Sequence, residues 1–239
     1  MNLLSVQSLS KSFGALRVAD EISFDVAPGE ALGIIGPNGA GKSTLFNLIT
    51  GNIRPDAGRI LLDGRDVTGA PPMARVTAGV GRSFQIPQPF THLSVYENLL
   101  VAAQFGAGLG RADADALCLD ILERTGLDRL AERPSGGLTL LQRKRLELAR
   151  AMATKPRVLL LDEIAGGLTD AECADLIRTI RQIHAGGTAI IWIEHVLHAL
   201  NAVVTRLMVL NFGKLLMIGE PEVVMTSPQV QEIYLGIEA

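Results

Sequence analysis

Residues 36–43, Gly36-Pro37-Asn38-Gly39-Ala40-Gly41-Lys42-Ser43, match the pattern GxxxxGK[ST]. A loop of this kind carries phosphate chemistry. Its glycines let the backbone curl until successive N–H groups point inward, and the start of the following helix adds a favourable dipole. Gly36, Asn38, Gly39 and Gly41 are therefore expected to cradle a nucleoside triphosphate. Lys42 would neutralise the β- and γ-phosphates, Ser43 would ligate Mg²⁺, and Thr44 would bond the α-phosphate. A glycine-rich turn that only caps a helix has no need of Lys-Ser at this offset.

Further along, Val158-Leu159-Leu160-Leu161 runs into the paired carboxylates Asp162 and Glu163. Asp162 would hold Mg²⁺ through water, and Glu163 would polarise the water that attacks the γ-phosphate. Alone, such a pair is most simply a strand ending in a solvated acidic turn; behind a phosphate-binding loop, the chemical reading is stronger. His195 follows the apolar run 189–193 and would bond the γ-phosphate and steady the attacking water. Gln85, in Phe84-Gln85-Ile86-Pro87, would sense the γ-phosphate or Mg²⁺. Phe13 either stacks on the base or packs beneath a hairpin.

The elements needed to position these groups are legible in outline. Residues 3–9 and 16–26 have strand-like spacing, with Lys11, Ser12 and Gly14 read as the turn of an antiparallel opening. Residues 31–35 form a short apolar run before the loop, and 42–50 read as a helix stopped by Gly51. The runs 158–161 and 189–193 resemble strands buried on both faces of a parallel sheet. Open sheets of this kind bind ligands at the carboxyl ends of their strands. Between them, residues 87–156 show helical patterning around 95–103, 112–125 and 140–153, and read as an inserted helical subdomain. A helix, a strand near 207–210, a turn at Gly213, another strand and a short terminal helix are expected after His195.

Composition narrows the class further. With 239 residues, 48% hydrophobic and 20% charged, the chain suits one large α/β domain rather than two independent ones. A formal net charge of −3 gives no electrostatic reason to expect nucleic acid as a partner. Cys118 and Cys173 stand apart, which argues against a zinc site or disulfide framework. No apolar run approaches the ~20 residues of a membrane span, and the opening residues 1–5 lack a basic, then apolar, leader. A cytosolic protein is expected, linked to a membrane only through a partner.

In this order and spacing, the motifs resemble the ATP-binding cassette (ABC) family of transporter ATPases over essentially the entire chain. The resemblance implies a P-loop NTPase (RecA-like) α/β core with an antiparallel β subdomain and an inserted α-helical subdomain. It implies a single nucleotide-binding domain over 1–239, with ATP and Mg²⁺ as cofactors. It assigns Phe13 to the aromatic that precedes the first loop, Gln85 to the Q-loop, Asp162 and Glu163 to the Walker B pair, and His195 to the switch histidine. Within the family, residues 36–47 (GPNGAGKSTLFN), 146–150 (LELAR), Ile193-Glu194-His195 and Tyr234-Leu235-Gly236 resemble the ATPase subunits of branched-chain amino-acid importers. Lipopolysaccharide-export ATPases share several of these, and also the stretch Leu93-Ser94-Val95-Tyr96-Glu97-Asn98.

The signature segment departs from the family. LSGGQ lies about 24 residues before the Walker B aspartate in the family, which places it on Leu138-Thr139-Leu140-Leu141-Gln142 rather than on the earlier Ser135-Gly136-Gly137. Thr139 and Gln142 fit a capping box, and the same hydroxyl and helix N–H groups would meet a nucleotide. Leu140 and Leu141 replace both glycines and limit close backbone approach. Ile164 replaces the usual proline, and Thr169 the usual aspartate, in the segment through which subunits communicate.

The implied protein is a motor subunit on the cytoplasmic face of the cell membrane. It would pair with a second ABC ATPase subunit, as a homo- or heterodimer, with transmembrane permease subunits and with a separate solute-binding protein. A soluble cassette acting on ribosomes or DNA usually has tandem cassettes or long coiled-coil insertions, which this chain lacks. A regulatory cassette that binds ATP but hardly hydrolyses it would fit the altered signature, but not the intact Glu163 and His195.

Overall fold

The computed structural model describes residues 2–235. Met1 and residues 236–239, including Gly236 of the ending quoted above, lie outside the described residues. The chain opens with antiparallel β1 (Leu4–Phe13) and β2 (Leu16–Val26), then passes through β3 (Ala31–Ile35) into α1 (Lys42–Thr50). A hairpin of β4 (Ala57–Leu62) and β5 (Arg65–Asp66) returns to the first pair, and the resulting sheet has the order β2-β1-β4-β5. Next come α2 (Pro72–Thr77) and β6 (Val80–Arg82), then α3 (Val95–Val101), α4 (Arg111–Thr125) and α5 (Leu140–Ala153). After β7 (Val158–Asp162), α6 (Asp170–Ala185), β8 (Ala189–Ile193), α7 (Leu197–Asn201), β9 (Arg206–Asn211) and β10 (Lys214–Gly219), the described chain ends in α8 (Pro221–Thr226) and α9 (Pro228–Leu235).

The main sheet has the order β10-β9-β3-β8-β7-β6, parallel except for the outer strand β10. Every residue of β3, β7 and β8 is buried, as continuous apolar runs require when both faces are covered. Strand periodicity then sends alternate side chains to opposite layers. Leu159, Leu161, Ile190 and Trp192 join a core with α5, α6 and the helices before them. Leu160, Ile191 and Ile193 face α1 and the inner side of the antiparallel sheet.

Local chemistry sets the helix ends. Ser94, Thr139 and Thr169 each accept the N3 amide while the N3 side chain returns to the cap backbone, so α3, α5 and α6 all begin with capping boxes. Thr139 therefore starts α5 one residue before Leu140. By contrast, Ser135, Gly136 and Gly137 form a separate 3₁₀ turn, in which the buried Ser135 hydroxyl donates to Phe90 O at 2.9 Å.

Three details differ from the sequence expectation. Strand β1 runs on through Lys11 and Ser12, because Asp56 binds the Lys11 ammonium at 2.6 Å and the Ser12 amide at 2.7 Å and holds both extended. The turn is thus confined to Gly14 and Ala15. The hairpin of β4 and β5, helix α2 and the short strand β6 carry no periodic signal long enough to read. Two helices, α8 and α9, close the described chain where one short helix was expected.

Helix α1 is secured from behind. Arg75 of α2 is 1% exposed, and its guanidinium donates to Leu48 O, Ile49 O, Thr68 O and Ala70 O at 2.6 to 3.0 Å. Leu48 and Ile49 belong to the last turn of α1, where a cation offsets the negative end of the helix dipole. Arg75→Met removes the donor to the Ile49, Thr68 and Ala70 carbonyls and leaves Leu48 O only the Gly51 amide, and is expected to lower stability by about 2–4 kcal/mol. Urea unfolding with an unchanged midpoint would refute this.

Candidate nucleotide and hydrolysis site

The loop of residues 36–41 joins β3 to α1 at the carboxyl end of the parallel sheet. Its glycines are required by close approach as well as by conformation. At Gly36 (φ +154°) a Cβ would lie 2.2 Å from Leu210 O, and at Gly41 (φ +99°) one would lie 2.4 Å from Val18 O. The loop is further braced by the β9–β10 turn, where Gly213 N donates to Ala40 O at 3.0 Å.

Several observations fit an anionic ligand here. Unlike α3, α5 and α6, helix α1 begins with no side-chain cap, and the amides of its first turn have no intrahelical acceptor. Lys42 is buried, and its ammonium donates to Gly36 O at 2.7 Å and Pro37 O at 3.0 Å. Burial pulls its pKa down, and the charges of Glu163 and Asp162 work against that shift. The cleft over the loop is lined by Asn38, Gly39, Ser43 and Thr44, by Glu163, and on one side by Leu16 and Val18. The Ser43 hydroxyl, the Asp162 carboxylate and the Gln85 amide oxygen are hard oxygen donors, the set that Mg²⁺ prefers.

At the end of β7, Asp162 is 4% exposed and receives Arg82 Nη2 at 2.7 Å. The other arm of the same guanidinium reaches Asn47 Oδ1 of α1 at 2.7 Å. Burial pushes the Asp162 carboxyl up, while the hydrogen bond and charge of Arg82 hold it back. Arg82 also lies over the rings of Phe46 and Phe84, 5.5 and 4.9 Å from their centroids. It therefore ties Asp162 to the loop helix and to the residue preceding Gln85.

Glu163 adopts φ +46°, an uncommon backbone conformation for a side-chain-bearing residue. Its carboxylate gathers the remaining expected residues. Gln85 Nε2 donates to Oε2 at 2.5 Å, and His195 Nε2 meets Oε1 at 2.8 Å, so Nε2 carries a proton in this arrangement. Loop, aspartate, glutamate, glutamine and histidine come from distant parts of the chain and meet along one sheet end.

Phe13, Thr139 and Gln142 do not line this cleft, the last two being expected at a partner's nucleotide rather than at this chain's own. Phe13 ends β1, half exposed, with the Lys11 ammonium 5.6 Å from its ring centroid. It is Leu16, its cross-strand partner, that lines the cleft. Thr139 and Gln142 bond each other at the exposed start of α5 and do not line this chain's cleft. Sequence reasoning missed Leu16, Val18, Asn47 and Arg82. The one signal for Arg82 was a cation placed between an apolar segment and Gln85, and it acquires meaning only once residues 80–82 are known to pair with β7.

The model of the ABC transporter family matches residues 19–166, from the second strand through the Walker B pair. The chain belongs to the ABC transporter family. It is therefore an ATP-hydrolysing cassette. It is 38% identical to the high-affinity branched-chain amino acid transport ATP-binding protein LivG of Escherichia coli K12, over 98% of each chain. It is 34% identical to the lipopolysaccharide export system ATP-binding protein LptB of Acidithiobacillus ferridurans, over 98% of this chain and 97% of that one. Among solved structures, the ADP conformation of MJ1267, an ATP-binding cassette of an ABC transporter, matches with a TM-score of 0.89 at 31% identity, covering 99% of this chain and 100% of that one.

Steric crowding at the loop is directly testable in this cassette. Gly41→Ala is expected to weaken ADP binding by at least about tenfold, or about 1.4 kcal/mol. Titration calorimetry showing unchanged affinity would contradict the close approach to Val18.

Proposed function

We propose that the cassette powers uptake of branched-chain or related amino acids through separate membrane-spanning permease subunits. It would act on the cytoplasmic face of the cell membrane with a second ATPase subunit and a solute-binding protein. In this reading residues 1–239 work as one nucleotide-binding domain, with 87–156 as its inserted helical subdomain. The similarity to LivG supports the choice of solute. The similarity to LptB supports a second reading, lipopolysaccharide export. Co-purification with permease subunits of one type or the other separates them.

The observation that carries the hydrolytic role is the convergence of Gln85 and His195 on Glu163, beside the cleft above the loop. Lys42 would exchange Gly36 O and Pro37 O for phosphate oxygens, while the first-turn amides of α1 hold the rest of the triphosphate. Mg²⁺ would supply charge neutralisation as the γ-phosphoryl transfers, and Ser43, Asp162 and Gln85 are the residues that would hold it. Glu163 would orient the attacking water and take its proton. His195 would give its Nε2–H to the Glu163 carboxylate in the arrangement seen here, and to the γ-phosphate instead once nucleotide is bound. Phe13 would lie against the base, beside Leu16.

Two cassettes facing head to tail would each close the other's site with Thr139 and Gln142 of α5. Closure is then a population shift, since ATP favours the closed pair only through contacts made to both subunits. Leu140 and Leu141 stand where a flat backbone is needed, so the half-site offered to the partner is the weaker one. A groove lined by Asn52, Pro72, Val76, Phe84, Arg150 and Thr154 lies beside the Gln85 segment. It would receive a short cytoplasmic helix of the permease.

In the assembled complex, Glu163→Gln should reduce ATP turnover about 100-fold or more while ATP still closes the dimer. Equal turnover by wild type and variant would remove Glu163 from the mechanism. Leu141→Gly should strengthen ATP-dependent dimerisation, as followed by light scattering. No gain in closure or turnover would sink the account of the signature.

A further inference from the structure

Beneath the hydrolytic carboxylate lie two buried ionisable side chains that the proposed mechanism does not use. Lys144, in the second turn of α5, is 4% exposed, and Glu194, just after β8, is 1% exposed. Both are aimed at backbone. Lys144 Nζ donates to Glu163 O at 3.3 Å. Glu194 Oε2 accepts from Ala165 N at 3.0 Å, and its Oε1 accepts from His195 N at 3.1 Å. The Glu163 amide in turn donates to Ile193 O at 2.8 Å. Residues 163–165 are thus held at three backbone groups, two of them by buried charged side chains.

This bracket surrounds the strained position. A left-handed conformation is costly for an ordinary residue and persists only where neighbouring contacts over-determine it. Desolvating an ammonium and a carboxylate is costlier still, and apolar residues of similar volume would often serve stability as well or better. Burial lowers the Lys144 pKa, and the charges of Glu194 and Glu163 work against that shift. Lys144 also rides on the helix that begins with the signature segment. At the start of that helix, Leu140 faces the turn after Glu163: a Cβ on Gly167 would lie 3.5 Å from Leu140 Cδ2.

We propose that Lys144 and Glu194 are positioning residues for hydrolysis: together they hold the 163–165 backbone so that Glu163 faces Gln85 and His195, and Lys144 ties that setting to the signature helix of the same chain. The inference rests on the assignment of Glu163 as the hydrolytic carboxylate. Displacement of α5, when its start engages a partner's nucleotide, would pull on Glu163 O and reset the carboxylate. One site would thereby register occupancy of the other.

The test compares Lys144→Met, Lys144→Arg, Glu194→Gln and the double Lys144→Met/Glu194→Gln with wild type and Glu163→Gln. The full chain is used, alone and in its permease complex, with kcat and KM for ATP, the affinity for a fluorescent ADP analogue, and Tm as readouts. Lys144→Met and Glu194→Gln should each lower kcat by at least about tenfold while KM and ADP affinity stay within about twofold. Lys144→Arg should restore kcat to within about threefold of wild type, since it keeps the cation and a donor. Because each single variant still buries one charged side chain, the double variant keeps the test open if a single one misfolds. It should retain Tm and still turn over slowly. Wild-type kcat in the folded double variant would overturn the proposal. So would kcat and ADP affinity falling together with no rescue by arginine, since that pattern describes a merely structural pair. Wild-type turnover by Glu163→Gln would instead refute the underlying assignment, and is read separately.

Discussion

Burial of the parallel sheet on both faces is the constraint from which the site follows. With β3, β7 as far as Leu161, and β8 apolar and covered by helices on one side and by α1 and the antiparallel sheet on the other, a polar group has nowhere to stand except the strand ends. Parallel pairing puts the carboxyl ends on one edge. The phosphate loop after β3, Asp162 and Glu163 at the end of β7, and His195 beyond β8 are therefore brought together by the same packing that makes the core.

Positioning at that edge relies on a chain of charge-assisted contacts rather than on the apolar core alone. Arg75 satisfies the far end of α1, Arg82 links Asp162 to Asn47 near its middle, and Lys42 sits at its beginning. The cations donate respectively to carbonyls of the last helical turn, to the buried Asp162 carboxylate and to carbonyls of the loop. The phosphate helix is thus anchored along its length while its first-turn amides are left free for a ligand.

The segment that begins α5 has a structural context within its own chain: Leu140 faces Gly167, and Thr139 caps the helix. Helix α5 is thus capped and packed within its own chain with leucines at both positions.

Residues 36–43 and the helix bounds 42–50 were legible from sequence because glycine conformation, the lysine-hydroxyl pair and a stop at Gly51 are local rules, satisfied within one loop and one helix. The apolar runs of β7 and β8 were legible for the same reason, and so was the capping box at Thr139 and Gln142. Family resemblance placed Gln85 and His195 among the site residues, but their meeting on Glu163 joins positions 78 and 32 residues away from it in the chain. No local rule contains such a pairing. Likewise, nothing in the residue types of Arg82, Lys144 or Glu194 distinguishes them from solvated surface charges; only the burial imposed by neighbouring strands and helices gives each a partner. Sequence determined which groups could do chemistry and which strand ends would present them. Tertiary structure alone decided which buried charges hold them in place, because desolvation depends on everything packed around a residue and not on the residue itself.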